Sequence, residues 1–411
     1  MNKETVSATE GRSAPATLPM PHLVALAIGA RVVIDTGIQI FGPYLSIIAA
    51  GLGTSIVTLG WMNSLRSLMG LAAPAAGWLA DRIGYRIVMR GLLLLGAVGM
   101  FLVGGSWHLG VALAGMILMG LGLFCFAPVL QAYMSARIPY ERRARGLGMV
   151  EYAWALAGIL GLSLSGALIG RFGWRAPFFV LGGSLLVAFL AFGALPAAPA
   201  RSRPGHVAAV RRTWGWWLWR VRDFLRLESN TRSTWSAIGA NALNVFATAN
   251  IGIVYGSWLN QVYGLGPTQL GTVAVVLGVA ELAGSVLVSL VSDHFGKYRT
   301  VLSSTAASVL AYVLLPFLNQ GLVLVVIGLV LARFTFEVSI VGNISLLSEQ
   351  VPAQRGKVLA LAAAAVVVGV ALASVTGPTT FSHWGAWGLG AASAISAFVS
   401  MLLVLFWVRD R

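Results

Sequence analysis

The sequence predicts an all-α integral membrane protein with twelve transmembrane helices. Three observations carry that prediction. Of 411 residues, 58% are apolar or aromatic and only 10% are charged, whereas a soluble domain carries roughly 25% charged residues. The apolar residues gather in runs that can cross a hydrocarbon core, which takes about 20 residues per helix. The basic residues fall in short clusters between those runs, the pattern that orients membrane helices. This composition excludes ordinary soluble enzymes and nucleic-acid-binding domains. The net charge of +15 is therefore read as topological and not as a nucleic-acid footprint.

Residues 1–21 are polar and are followed by a full-length span, so they read as a cytoplasmic tail and not a cleaved signal. Spanning segments then lie near 22–50, 56–80, 87–106, 109–136, 146–170 and 176–196. These make an N-terminal six-helix half, residues 22–196. A C-terminal half, residues 234–408, holds segments near 234–261, 268–292, 300–318, 321–348, 356–380 and 385–408, and residues 409–411 form a short cytoplasmic end. Between the halves, residues 197–233 carry eight Arg against Asp223 and Glu228. Trp214, Trp217, Leu218, Val221, Phe224 and Leu225 recur there at helical spacing, which reads as an amphipathic helix lying in the cytoplasmic interface. A plain basic tether between the halves explains the same residues.

Orientation follows from the Lys/Arg bias of the short loops. Arg82, Arg86 and Arg90 follow the second span, and Arg137, Arg142, Arg143 and Arg145 the fourth. Lys297 and Arg299 follow the eighth, and Arg355 and Lys357 the tenth. Alternate loops lack Lys and Arg, except for Arg171 and Arg175 after the fifth span. Both termini are thus expected in the cytoplasm. The 25 Arg among 28 basic residues, with abundant Ala and Gly, point to a bacterial source, hence to an inner (plasma) membrane.

The chain also repeats itself. Asp81 in "LADRIGYR" matches Asp293 in "VSDHFGKYR" at an offset of 212. Pro139 matches Pro352, and Trp174 matches Trp387, each at 213. One offset shared by landmarks across six spans predicts two parallel six-helix pseudo-repeats, related by an axis along the membrane normal.

The run Gly77-Trp-Leu-Ala-Asp81-Arg82-Ile-Gly84-Tyr-Arg86, between the second and third spans, resembles the loop signature of the major facilitator superfamily (MFS). Asp293-His-Phe-Gly296-Lys297 is a weaker copy between the eighth and ninth spans. The resemblance covers nearly the whole chain and lies toward the bacterial drug/proton antiporter-like branch. It implies the MFS fold, alternating access about a central cavity, and a conformational switch at Gly77, Asp81, Arg82, Gly84, Arg86, Asp293, Gly296 and Lys297. Residue chemistry alone allows Asp81 to pair with basic neighbours or sit at a helix N-terminus. Two drug-exporter features are missing: Gly120-Leu-Gly122 is preceded by Met116 where many such exporters carry Arg, and "ALAGILGLSLSGALIG" shows no clear Gly-Pro signature.

Charges inside a membrane are costly, and those retained usually face a cavity or a partner. Here they are Arg31, Asp35, Arg66, Glu151, Glu281, Arg333 and Glu337. They avoid the deep cores of the third, sixth, ninth and twelfth spans, which the resemblance places against lipid. Arg31–Asp35 and Arg333–Glu337 are i,i+4 pairs sharing a helix face. For the second pair, neutralisation that lets the helix insert and a functional role stand level. Glu281 has no charged neighbour within a turn, and Arg66 has no local acid, so Arg66 can pair with Asp35 across helices or hold an anionic substrate group.

Asp35, Glu281 and Glu337 are therefore the proton-coupling candidates. Arg31, Arg66, Gln131, Asn241, Asn244, Tyr255 and Arg333 are the substrate-cavity candidates. Asn250, Trp258 and Tyr133 add polar or aromatic character to the same spans, although each also serves as an interhelical bond or interfacial anchor. No metal-ligand pattern, phosphate loop or nucleophile elbow occurs, and one cysteine, Cys125, permits no intramolecular disulfide. The chain is not expected to be an enzyme or to need a metal or cofactor. The expected activity is secondary active transport by alternating access: proton-coupled efflux of a small organic or amphipathic compound by a monomer. The alternatives are uptake or uniport of an anionic metabolite held by Arg66 and Arg333, or a non-transporting sensor or scaffold.

Overall fold

The structure, a computed structural model, describes residues 20–138, 140–196 and 226–408. Among these, every regular element is helical, and nine helices are long and apolar enough to cross a membrane. Phe172, Leu190 and Val323 are 71%, 68% and 72% exposed. Side chains so exposed are a liability in water and at home among lipid tails.

The N-terminal helices begin with a broken rod, α1 (Met20–Gln39) and α2 (Phe41–Gly51). Pro43 removes a backbone donor, and Tyr44 leaves helical geometry at φ −115°, ψ 15°. α3 (Ile56–Leu68) starts at Ser55, whose hydroxyl accepts the Thr58 N–H at 3.1 Å. It continues through a 3₁₀ turn at Met69–Ala72 into α4 (Ala73–Ile83). α5 (Tyr85–Gly104) and α6 (Leu109–Ser135) follow, the latter capped by His108 and carrying Pro128 inside. A π-helical turn at Ala157–Gly161 joins α7 (Tyr140–Leu156) to α8 (Leu162–Phe172), and α9 (Ala176–Ala191) closes the set.

The C-terminal helices are α10 (Thr231–Tyr263), α11 (Pro267–Phe295), α12 (Lys297–Leu314), α13 (Leu322–Gln350) and α14 (Arg355–Trp407). The 53 residues of α14 amount to about 80 Å of helix, more than twice a hydrocarbon core of about 30 Å. The element breaks at Gly385, where φ is 57°. The expected interfacial helix of the linker lies outside the described residues, apart from 226–233, and so does Pro139.

Six glycines have positive φ among the described residues, and they form three pairs: Gly53 with Gly264, Gly84 with Gly296, and Gly173 with Gly385. Gly84 and Gly296 adopt similar angles, φ 101°, ψ 138° and φ 88°, ψ 140°. A side chain is rarely tolerated at such angles.

The N- and C-terminal helices meet at the end remote from the Arg82–Arg90 loop. α2 lies against α10, α3 against α14, and α8 against α11. Glycine allows the approach. A Cβ added at Gly256 would stand 2.0 Å from the Pro43 carbonyl oxygen, one at Gly42 2.6 Å from Gly252 O, and one at Gly60 2.4 Å from Ser374 O. Ser46 donates to Asn260 Oδ1 at 3.2 Å across the same seam.

Filling that seam should therefore destabilise the fold. Gly256→Leu is expected to lower the unfolding free energy of the detergent-purified protein by about 1–3 kcal/mol. Gly29→Leu, at a site with open space around it, is expected to leave the denaturation midpoint unchanged.

Candidate functional site

Above the seam lies a cavity of about 510 Å³ between the two sets of helices. Its wall is largely apolar, with Phe41, Phe124, Trp154, Phe336, Val367 and Val370 among the lining residues. Into it project Arg31, Asp35, Arg66, Tyr255, Glu281, Arg333 and Glu337. Seven of the ten residues named from sequence for coupling or substrate are thus brought to one cavity.

On the N-terminal side, Arg31 and Asp35 pair one turn apart on α1, Nε to Oδ2 at 3.1 Å, with both side chains buried. Arg31 Nη2 also reaches Glu151 Oε2 on α7 at 3.6 Å. Glu151 is 53% exposed at the side chain and accepts Gln131 Nε2 at 2.8 Å. Arg31 thus lies between a buried carboxylate and an exposed one. Glu151 stands outside the candidate set read from sequence. Its partnership depends on α1 packing against α7, and sequence spacing carries no signal for that contact.

On the C-terminal side the expected i,i+4 pair does not form. Arg333 Nη1 reaches across to Glu281 Oε1 on α11 at 3.1 Å, so Glu281 has a charged partner after all. Glu337 instead accepts the Ser285 hydroxyl at 2.5 Å. A long guanidinium stem can choose between its own helix and a neighbour packed alongside, and α11 packs on α13.

Arg66 does not bond Asp35, which Arg31 already holds. It donates instead to Asn63 Oδ1 at 2.9 Å, Gly37 O at 3.1 Å and Ile38 O at 3.0 Å. Its guanidinium carbon lies 4.5 Å from the Phe41 ring centroid and 5.4 Å from that of Phe124. It makes no ion pair with a described residue.

The amide candidates lie elsewhere. Asn244 Nδ2 donates to Ser339 Oγ at 2.9 Å on α13, and Asn241 is buried on the same helix as Asn244, off the cavity wall. Gln131 is also off the wall. Trp258 is wholly buried and donates to Asn319 Oδ1 at 3.1 Å, while Asn250 Oδ1 accepts from Thr376 at 2.6 Å. These bonds link neighbouring elements, while the buried Oδ1 atoms of Asn241 and Asn244 have no hydrogen-bond partner among the described residues.

At the loop signature, Asp81 is exposed near the C-terminal end of α4 and accepts from the Tyr85 hydroxyl; it pairs with no described basic residue. Arg82 lies over the Trp78 ring at 3.8 Å, and Arg86 Nη1 donates to Leu195 O at 2.9 Å. Lys297 pairs with Glu349. The Asp293 side chain lies outside the described residues. Gly77 has open space where a Cβ would stand. No three-residue metal-binding cluster occurs among the described residues.

Comparison with known proteins then gives a consistent result. The family model described as the Major Facilitator Superfamily matches residues 27–235 and 237–411. The MFS-type transporter YceJ of Bacillus subtilis is 27% identical over 91% of this chain and 91% of its own length. The multidrug resistance protein MdtG of Citrobacter koseri is 25% identical over 61% of this chain and 59% of its own. Among solved structures, a D-xylose-proton symporter superposes with a TM-score of 0.73 at 16% identity, covering 94% of this chain and 98% of that one.

The cross-helix ion pair yields a stability prediction. Arg333→Gln should cost about 3 kcal/mol of unfolding free energy, because it strands the Glu281 carboxylate in a partly desolvated site. The double variant Arg333→Gln/Glu281→Gln should recover most of that loss, read by chemical denaturation of the four proteins of the cycle.

Proposed function

Because the chain belongs to the Major Facilitator Superfamily, we propose that it is a secondary active transporter that exports a small organic or amphipathic compound in exchange for protons. The reading has twelve crossings in two six-helix halves, residues 22–196 and 234–408, in a bacterial inner membrane, with both termini and the 197–233 linker in the cytoplasm. The paired positive-φ glycines and the break in α14 support the repeat. With the Arg-rich loops inside, the seam seals the outer face and the cavity is reached from the cytoplasm.

One observation carries the coupling mechanism. Each half sets one arginine among two carboxylates: Arg31 with Asp35 and Glu151, and Arg333 with Glu281 and, one turn along its own helix, Glu337. One arginine cannot neutralise two carboxylates. On the cavity wall, Glu337 bonds Ser285 and no described arginine, and its negative charge in a low-dielectric site is relieved by a proton or by a positively charged substrate group. Mutually exclusive occupancy of that kind is what exchange requires. The apolar and aromatic remainder of the wall suits the body of an amphipathic compound. Asp81 and the Gly84 and Gly296 turns act at the cytoplasmic end, where the halves must close on one another in the outward-facing state.

A second reading is favoured by Arg66, a cavity cation without an ion pair among the described residues. Here the cargo is an anionic metabolite and the process is uptake or uniport. Arg333 supports it less, because Glu281 already neutralises that guanidinium.

The coupled reading is tested in proteoliposomes with ethidium as the probe. An imposed pH gradient should drive ethidium transport by the parent protein. Asp35→Asn and Glu281→Gln should each abolish the dependence on the gradient, and Glu337→Gln should weaken it. Full proton-driven transport by both neutral variants at Asp35 and Glu281 would falsify the assignment. In the second reading, benzoate binding falls about tenfold with Arg66→Gln, the loss of a charge-assisted bond.

A further inference from the structure

The cavity and the outer seam share a chain of hydrogen bonds. Arg66 Nε donates to Asn63 Oδ1 at 2.9 Å. Nδ2 of the same amide donates to Ser374 Oγ at 2.9 Å. Ser374 belongs to α14, on the opposite side of the seam, and its hydroxyl donates onward to Val370 O at 2.8 Å. Arg66, Asn63 and Ser374 are each no more than 2% exposed. Next to this chain, Gly60 brings the α3 backbone against Ser374 and Pro378.

An asparagine amide has one accepting and one donating end. With its oxygen held by a guanidinium, its NH₂ must face away, here toward Ser374. Arg66 therefore sets the orientation on which a contact between the two halves depends. Its other two bonds hold Gly37 O and Ile38 O, at the end of α1 just before the Pro43 break. All three acceptors are neutral. A guanidinium bonds a carboxylate more strongly than a neutral oxygen, often with two parallel N–H···O bonds. The rings of Phe41 and Phe124 beside it, with Val367 and Val370 nearby on the wall, favour an aromatic or similarly apolar body on the same ligand.

We propose that Arg66 recognises the carboxylate of an aromatic or amphipathic acid in the cavity, and that this recognition releases the Asn63–Ser374 contact and loosens the outer seam. The inference rests on the reading of the cavity as the substrate site. A carboxylate that draws the guanidinium away from Asn63 frees the amide to rotate, and the seam loses a buried bond. The ligand then binds the state with the open outer face better than the sealed one, which is the differential affinity a population shift requires.

The test uses the full chain with Cys125→Ala and a reporter, Ser46→Cys, at the seam. The readout is the labelling rate with a membrane-impermeant maleimide. The probes are 2-naphthoate and its cationic counterpart 2-naphthylmethylammonium, with binding followed separately by thermal shift. The expected result is that 2-naphthoate binds and accelerates labelling about fivefold, the factor one hydrogen bond contributes, while the cation does not accelerate it. Arg66→Gln should weaken binding about tenfold, the loss of a charge-assisted bond, and remove the acceleration. Ser374→Ala, which leaves the cavity cation in place, should keep the binding, raise the basal rate and remove the acceleration.

Binding of 2-naphthoate with no change in labelling would overturn the link to the seam. No binding to the parent, or equal binding to Arg66→Gln, would overturn the anion site. Equal acceleration by the cation would overturn charge recognition. Ethidium transport reports on the proton-exchange reading separately, so failure of one is distinguishable from failure of the other.

Discussion

A charge held in a low-dielectric site must be matched or relieved, at a cost of several kcal/mol if it is not. The centre of this molecule is organised by that demand. Arg31 sits beside Asp35 at 3.1 Å, and Arg333 meets Glu281 at the same distance across two helices. These pairs make the charged segments compatible with a membrane interior. They leave Glu337 on the cavity wall bonded to Ser285 and to no described arginine, while the exposed Glu151 shares Arg31 with Asp35. On the proposed reading, Glu337 is where a proton or a substrate cation would come and go.

The second organising constraint is steric. The two sets of helices approach so closely at one end that backbone oxygens stand where side chains would be, at Gly256 against Pro43 and at Gly60 against Ser374. Close backbone approach through small residues is how membrane helices gain van der Waals contact without a hydrophobic driving force. On the proposed reading, such a seam has few long side chains to disentangle when it opens. Breaks in regular helix lie beside it, at Pro43 and Tyr44 in the first rod and in the π-helical turn at Ala157–Gly161.

Much of this was legible in the sequence. The all-helical, membrane-embedded class followed from composition and run length, and the family followed from the loop around Asp81. Seven of the ten coupling and substrate candidates line one cavity, because an ionisable residue in an apolar run has few other places to go. What was not legible was pairing between helices. Spacing gave Arg31–Asp35 correctly, since both groups share one helix face. It failed for Arg333–Glu337, because the competing partner Glu281 lies on a helix more than fifty residues away in sequence. Asn241 and Asn244 were misplaced for a related reason: polarity alone does not tell which side of a long helix faces the cavity and which faces α13. The linker helix lies outside the described residues and stays an expectation.

The most direct measurement is proton release when a lipophilic cation binds. Purified protein in weakly buffered detergent would be titrated with tetraphenylphosphonium while pH and binding are followed together. If surplus carboxylates exchange a proton for substrate, about one proton leaves per bound cation, and fewer leave when Asp35 and Glu281 are neutralised. Binding at full occupancy with no proton released would contradict exchange at these carboxylates.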